Sequence, residues 1–152
     1  MNYWLMKSEP GTFSIDDLAK CPDQTEPWDG IRNYQARNFM RDAMKVGDQA
    51  FFYHSSCEIP AIVGIVRIVR AAYPDASALD PHSRYYDPKA TPENPRWFLV
   101  DVKLVRRLKH PITLQELKAC PELEGFPLVR RGNRLSIMPV SAAQWRFILT
   151  RE

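Results

Sequence analysis

The chain has 152 residues, 45% of them apolar and 26% charged, and its 21 lysines and arginines against 18 aspartates and glutamates leave a formal net charge of +3. That composition fits residues 1–152 as one globular domain, which at this size buries about 70% of the surface of its unfolded chain and builds a core without metals or disulfides. No apolar run approaches the ~20 residues that span a bilayer, and the mild basic excess permits nucleic-acid binding without demanding it.

In chain order, Tyr3 to Lys7 is short and apolar and predicts a strand that ends on the polar cluster Lys7-Ser8-Glu9-Pro10. Ser14 with Asp17 predicts a capped helix over Ile15 to Lys20, and Asn33 predicts the cap of a second helix whose Ala36, Phe39, Met40 and Ala43 share one face. Gly47-Asp48 turns into a strand over Gln49 to Ser55, with Phe51 and Tyr53 on one face and Phe52 and His54 on the other. Ala61 to Arg70 reads as a strand buried on both faces or curled into a barrel, and Gly64 within it predicts a bulge or a close approach.

Tyr73 to Pro95 carries Pro74, Pro81, Pro88, Pro92 and Pro95, which exclude regular helix and central strand; a loop this long in a compact domain is usually functional or mobile. Trp97 to Leu108 then predicts a strand with Phe98, Val100, Val102 and Leu104 on one face. Thr113 with Glu116 and Ser141 with Gln144 fit capping boxes, the second opening a helix that turns Trp145, Ile148 and Leu149 inward. Short strands with short helices across their open ends make the expected class α+β, a small β-barrel with flanking helices.

No phosphate-cradling glycine loop, His-Glu-x-x-His or nucleophile motif is present, so no enzyme is expected; a Cys57–His54 pair exists only if a fold is assumed. Cys21, Cys57 and Cys120 are widely spaced, so reduced thiols and no metal site are expected, and no cofactor is called for. The N-terminal sequence lacks the features of a signal peptide, which leads to an expectation of a cytoplasmic protein, or a nuclear one in a eukaryote, away from membranes.

The segment Trp28 to Asn38 concentrates an indole, Arg32, Arg37, Asn33 and Asn38 around a turn and a helix start, a mixture suited to a flat polar ligand. The same composition also fits a core tryptophan beside a solvated arginine face. The strand ends at Lys7-Ser8 and Tyr53-His54-Ser55 offer polar groups for one rim, although His54 by itself is a common structural residue. Arg106, Arg107 and Lys109, with Arg130, Arg131 and Arg134, are candidate contacts to a nucleic-acid backbone or simply solvated charge.

Tyr3 to Pro10, Trp28 to Asn38, Phe52 to Ser55, Gly64-Ile65-Val66 and Leu135-Ser136 followed by Pro139-Val140 together resemble the EVE domain family over nearly the whole chain. The resemblance implies a PUA-like β-barrel and a non-catalytic reader of a modified base in DNA or RNA; separately from the resemblance, a monomer is the expectation. It also implies that Trp28 walls an aromatic pocket, with Lys7, Ser8, Asn33, Arg37, Asn38, His54 and Ser55 at its rim and Trp97 and Ser136 nearby. A free-nucleotide or other small-molecule binding domain is the alternative, and a hydrolase using His54 a more remote one.

Overall fold

The computed structural model describes residues 1–152. Capping chemistry places the helices. Ser14 accepts from the Asp17 amide at 3.1 Å and the Asp17 carboxylate accepts from the Ser14 amide at 2.8 Å, which starts α1 (Ile15–Lys20). Asn33 accepts from the Ala36 amide at 2.9 Å and starts α2 (Tyr34–Asn38), which widens into a π-helical turn over Phe39–Ala43. Thr113 starts α3 (Leu114–Lys118), but Glu116 completes no box there, because its carboxylate accepts from Arg151 instead. The Ser141–Gln144 box is reciprocal and starts α4 (Ala142–Leu149).

The strands are β1 (Tyr3–Ser8), β2 (Thr25–Pro27), β3 (Gln49–His54), β4 (Ala61–Pro74), β5 (Phe98–Thr113) and β6 (Ile137–Val140). They form one six-stranded sheet in the order β2-β5-β4-β3-β1-β6, with β1 and β3 parallel and the other pairs antiparallel. No ladder joins β2 to β6, so the hydrogen-bonded sheet is open where a barrel was expected. The β4–β5 pair shifts register at four places, and each such irregularity bends and twists a strand locally.

Alternation along β3 sends Phe52 to one apolar layer, with Trp28, Ile15, Leu18 and Met40, and Phe51 and Tyr53 to the other, with Leu117, Phe126 and Trp145. The sheet is therefore covered on both faces, which accounts for the near-continuous apolar run of β4. Each fully buried Phe, Leu or Ile contributes ~1.5–3 kcal/mol. Gly64 serves both purposes expected of it: the register shifts beside it, and a β-carbon would collide with Ile15 Cδ1 and lie 3.0 Å from the Arg106 carbonyl. Its missing side chain lets α1 settle on the sheet.

The proline-rich segment after β4 is folded on a small core of its own, in which Trp97 packs with Ala78 and Ala90 beyond a single 3₁₀ turn, Ala76–Leu79. No group of His, Cys, Asp or Glu is arranged to hold a metal ion, and no helix is long and apolar enough to cross a membrane.

Candidate functional site

The C-terminal end of β1 and the chain leaving β2 converge on a concavity of about 410 Å³. Lys7 and Ser8 come from β1, Trp28, Asp29 and Gly30 follow β2, and Arg84 and Tyr85 come from the proline-rich segment. This volume lies within the ~300–1,000 Å³ typical of small-ligand sites. The Trp28 amide donates to the Val100 carbonyl at 2.8 Å, which fixes the indole beside the sheet. Trp28 is 6% exposed and meets Phe52 edge-on at 5.5 Å, so most of the ring is core and only its margin reaches the pocket.

A clasp holds the opposite part of the lining. Asp75 is 1% exposed and accepts from the Gly30 amide at 3.0 Å, from Arg32 Nη1 at 3.1 Å and from the Ser77 amide at 2.9 Å. Burial pushes its carboxyl up, but the hydrogen bonds from Ser77, Gly30 and Arg32 more than offset this and leave it below the ordinary value. Arg32 also donates to the Tyr85 carbonyl through Nε at 3.1 Å and Nη2 at 2.8 Å, with its guanidinium 5.5 Å from the Tyr85 ring centre and 5.3 Å from that of Trp97. Arg32 thus ties the Gly30 turn to the loop that carries Tyr85.

The sequence-derived candidates divide accordingly. Lys7, Ser8 and Trp28 line the pocket, whereas Arg32, Asn33, Arg37, Asn38, Tyr53, His54, Ser55, Trp97 and Ser136 do not. Asn33 is occupied as the cap of α2, and Asn38 accepts from Arg37 Nε and Nη2 at 3.1 and 2.8 Å. Arg37 lies over Tyr34 at 4.6 Å and donates to the Arg96 carbonyl, while Tyr34 stacks on Trp97 at 4.8 Å and Trp97 Nε1 donates to Asp87 at 2.7 Å.

Tyr53 points into the far layer, where burial pushes its phenol up to about 12. The Ser55 amide donates to the Ser8 carbonyl and the Ser136 carbonyl accepts from the Lys7 amide, so both tether β1 through backbone. His54 Nε2 accepts from the Ile15 amide at 3.1 Å, and burial holds the imidazole below its ordinary value against the weaker pull of Asp16. Ser8 Oγ donates to the Phe13 carbonyl at 2.5 Å and the Cys57 thiol to the His54 carbonyl at 3.8 Å, so neither is hydrogen-bonded to the imidazole as a nucleophile to its base.

Tyr85, Arg84 and Asp29 are pocket residues that sequence reasoning assigned no role. Asp29 lay within the quoted Trp28 motif, and Tyr85 had no signal beyond the proline-rich loop around it. The pocket lining carries more acid than base: Glu9, Glu26 and Asp29 accompany Lys7 and Arg84. Burial pushes the Asp29 carboxyl above its ordinary value, helped by Asp75 and Glu26, and burial draws the Lys7 ammonium down. Ring margins beside both a cation and carboxylates suit a flat heterocycle that carries donors and acceptors on its edge.

The two basic clusters differ in kind. Arg106 makes a bidentate pair with Glu152 at 2.8 and 2.7 Å, Arg107 pairs with Asp16, and the Lys109 amide donates to Glu152. Arg130, Arg131 and Arg134 are exposed, and none of them belongs to any of the seven ion pairs of the chain.

Comparison with known proteins bears on both fold and pocket. Thymocyte nuclear protein 1 of Mus musculus is 46% identical over 168 residues, covering 99% of this chain and 74% of that protein. A crystal structure of a Pseudomonas putida protein superposes with a TM-score of 0.93 at 54% identity, covering 97% of each chain. Human THYN1 protein, crystallised in complex with 5-methylcytosine containing DNA, superposes with a TM-score of 0.90 at 45% identity, covering 99% of this chain and 97% of that one. The EVE domain family model matches residues 2–151, which takes in the open sheet, its four helices and every residue of the pocket, and the chain belongs to the EVE domain family.

Proposed function

We propose that this protein is a non-catalytic DNA-binding domain that takes a modified cytosine, 5-methylcytosine in the first instance, into the pocket lined by Trp28 and Tyr85. The observation that carries the reading is the lining itself, which combines the aromatic side chains of Phe13, Trp28 and Tyr85 with the Lys7 ammonium and the Asp29 carboxylate. The likeness to a THYN1 protein crystallised on 5-methylcytosine DNA supports the choice of base. The shifted β4–β5 pair supports reading the sheet as a PUA-like barrel left open between β2 and β6.

The energetics suit an extruded base. Unstacking and unpairing cost a few kcal/mol, and aromatic contacts return ~1–3 kcal/mol per base. A methyl group in a fitted slot adds only ~1–3 kcal/mol of discrimination, so the edge of the ring must be read by polar groups. In this reading the Asp29 carboxylate accepts from the exocyclic amine of cytosine, as carboxylates do, and the Lys7 ammonium donates to its carbonyl oxygen. In this reading Arg32, Ser55 and Ser136 hold the walls through Tyr85, Ser8 and Lys7, while Asn33, Arg37, Asn38, His54 and Trp97 do not touch the base.

Fluorescence polarisation with labelled DNA carrying one 5-methylcytosine, one cytosine or one N6-methyladenine at the same place, and with RNA of matching sequence, tests the assignment. The 5-methylcytosine DNA should bind about ten-fold or more tighter than its unmethylated twin. Equal affinity across the panel would refute the proposal.

A further inference from the structure

A second concavity, of about 360 Å³, shares no lining residue with the first but is built partly on chain segments that run into it. Its lining includes Gln35, Phe39, Arg130, Arg131, Asn133 and Leu135. Leu135 precedes Ser136, whose carbonyl accepts from the amide of Lys7 in the first pocket at 2.8 Å, and Gln35 lies four residues beyond Ile31 on the wall of the first pocket. Two short stretches of chain, Ile31 to Gln35 and Leu135 to the Ser136 carbonyl on Lys7, thus link the two linings.

The turn that carries the arginines is held in place. Gly132 has φ +79, a conformation that favours glycine. The Asn133 side chain donates to the Pro127 carbonyl and accepts from the Leu135 amide at 2.8 Å, while Arg130 Nη2 donates to the Gly125 carbonyl at 3.3 Å. Arg130 and Arg131 thus project from a pinned turn with no carboxylate partner. Phe39 and Leu135 give the same hollow an apolar side. Cationic forks above an apolar floor match a sugar–phosphate chain, whose phosphates are anionic and whose sugars are largely not.

We propose that this groove seats the phosphodiester backbone next to the base held in the Trp28 pocket, with Arg130 and Arg131 on the phosphates, and that Arg106 and Arg107 lie off the path of the strand. The proposal rests on the base-binding reading for its ligand but makes a separate claim about where the charge is neutralised. The arginine cluster on β5 already spends its charge on Glu152 and Asp16, so little counterion remains there to be released by DNA.

The test is the salt dependence of binding to a labelled duplex bearing one 5-methylcytosine, measured between 50 and ~200 mM salt for wild type, Arg130→Ala/Arg131→Ala and Arg106→Ala/Arg107→Ala. Loss of two phosphate contacts should lower the slope of log K against log salt by about 2 in the first variant and leave it near wild type in the second. Arg131→Glu, which keeps the Arg130 bond to Gly125, should weaken binding at low salt by about ten-fold or more if the double variant does not fold. A wild-type slope in Arg130→Ala/Arg131→Ala with Arg131→Glu unweakened, or an equal loss in both double variants, overturns the groove. If wild type does not prefer the methylated base but the slope still falls in the groove variant, the base reading fails while the groove stands.

Discussion

The phenol end of Tyr85 occupies the space that a side chain at residue 30 would need: a β-carbon built on Gly30 would lie 2.5 Å from Tyr85 Cζ and 2.8 Å from both neighbouring ring carbons. Gly30 also has φ +80, which favours glycine. Turn and ring therefore depend on each other. Gly30→Ala is expected to cost about 1–3 kcal/mol in thermal or urea unfolding, from backbone strain and a displaced Tyr85, and to weaken DNA binding by more than its loss of folded protein explains.

Arg32 is the staple between that turn and the loop bearing Tyr85, and Asp75 beneath it is almost fully buried. Removing the guanidinium leaves a buried carboxylate without its cation, so Arg32→Ala should cost about 2–4 kcal/mol in urea unfolding. Arg32→Lys should not restore it fully, because a single ammonium nitrogen lacks the planar fork that puts Nη1 on Asp75 while Nε and Nη2 reach the Tyr85 carbonyl. The Asp75 carboxyl is held below its ordinary value of 3.8, so its stabilising contribution is present above that pH and lost as pH falls through the folded value. Arg32→Ala removes part of that depression, and its acid unfolding midpoint should move to higher pH.

His54 acts as an acceptor at the start of α1, and its imidazole is held below the ordinary value of 6.5. The unfolded chain takes up a proton at that pH while the folded chain does not, so stability is complete above about 6.5 and declines as pH falls toward the folded value. His54→Gln keeps an acceptor for the Ile15 amide but does not titrate. Unfolding curves collected from neutral to mildly acid pH should show this decline in wild type and a flatter profile in His54→Gln; identical profiles would remove His54 as the cause.

These dependencies mark what could be read from the chain alone. Local chemistry was legible: the Ser14, Asn33, Thr113 and Ser141 caps sit where helices start, and alternation in β3 and β5 assigns side chains to the correct layers. Long-range pairing was not. β6 is four residues long with Pro139 inside it and shows no alternation, and β5 runs past Leu108 and Pro111 to Thr113 through register shifts that no periodic pattern reveals. The open edge between β2 and β6 is a property of the assembled sheet.

The pocket follows the same division. Lys7, Ser8 and Trp28 were visible because strand ends and an indole announce themselves, whereas Tyr85 enters the pocket only through the Asp75–Arg32 clasp, a contact across more than forty residues of sequence. Polar residues near Trp28 looked like ligand contacts because hydrogen-bonding capacity is readable from sequence and its internal use is not. Asn33 and Arg37 spend theirs on a helix cap and a carbonyl.

The most direct measurement is the ratio of affinities for methylated and unmethylated DNA of one sequence, determined for wild type and for Tyr85→Ala at the same salt. Wild type should favour the 5-methylcytosine duplex by about 10- to 100-fold, and Tyr85→Ala, still folded by circular dichroism, should bring the ratio close to one. A wild-type ratio of one, or a preference that survives loss of the Tyr85 ring, would contradict recognition in this pocket.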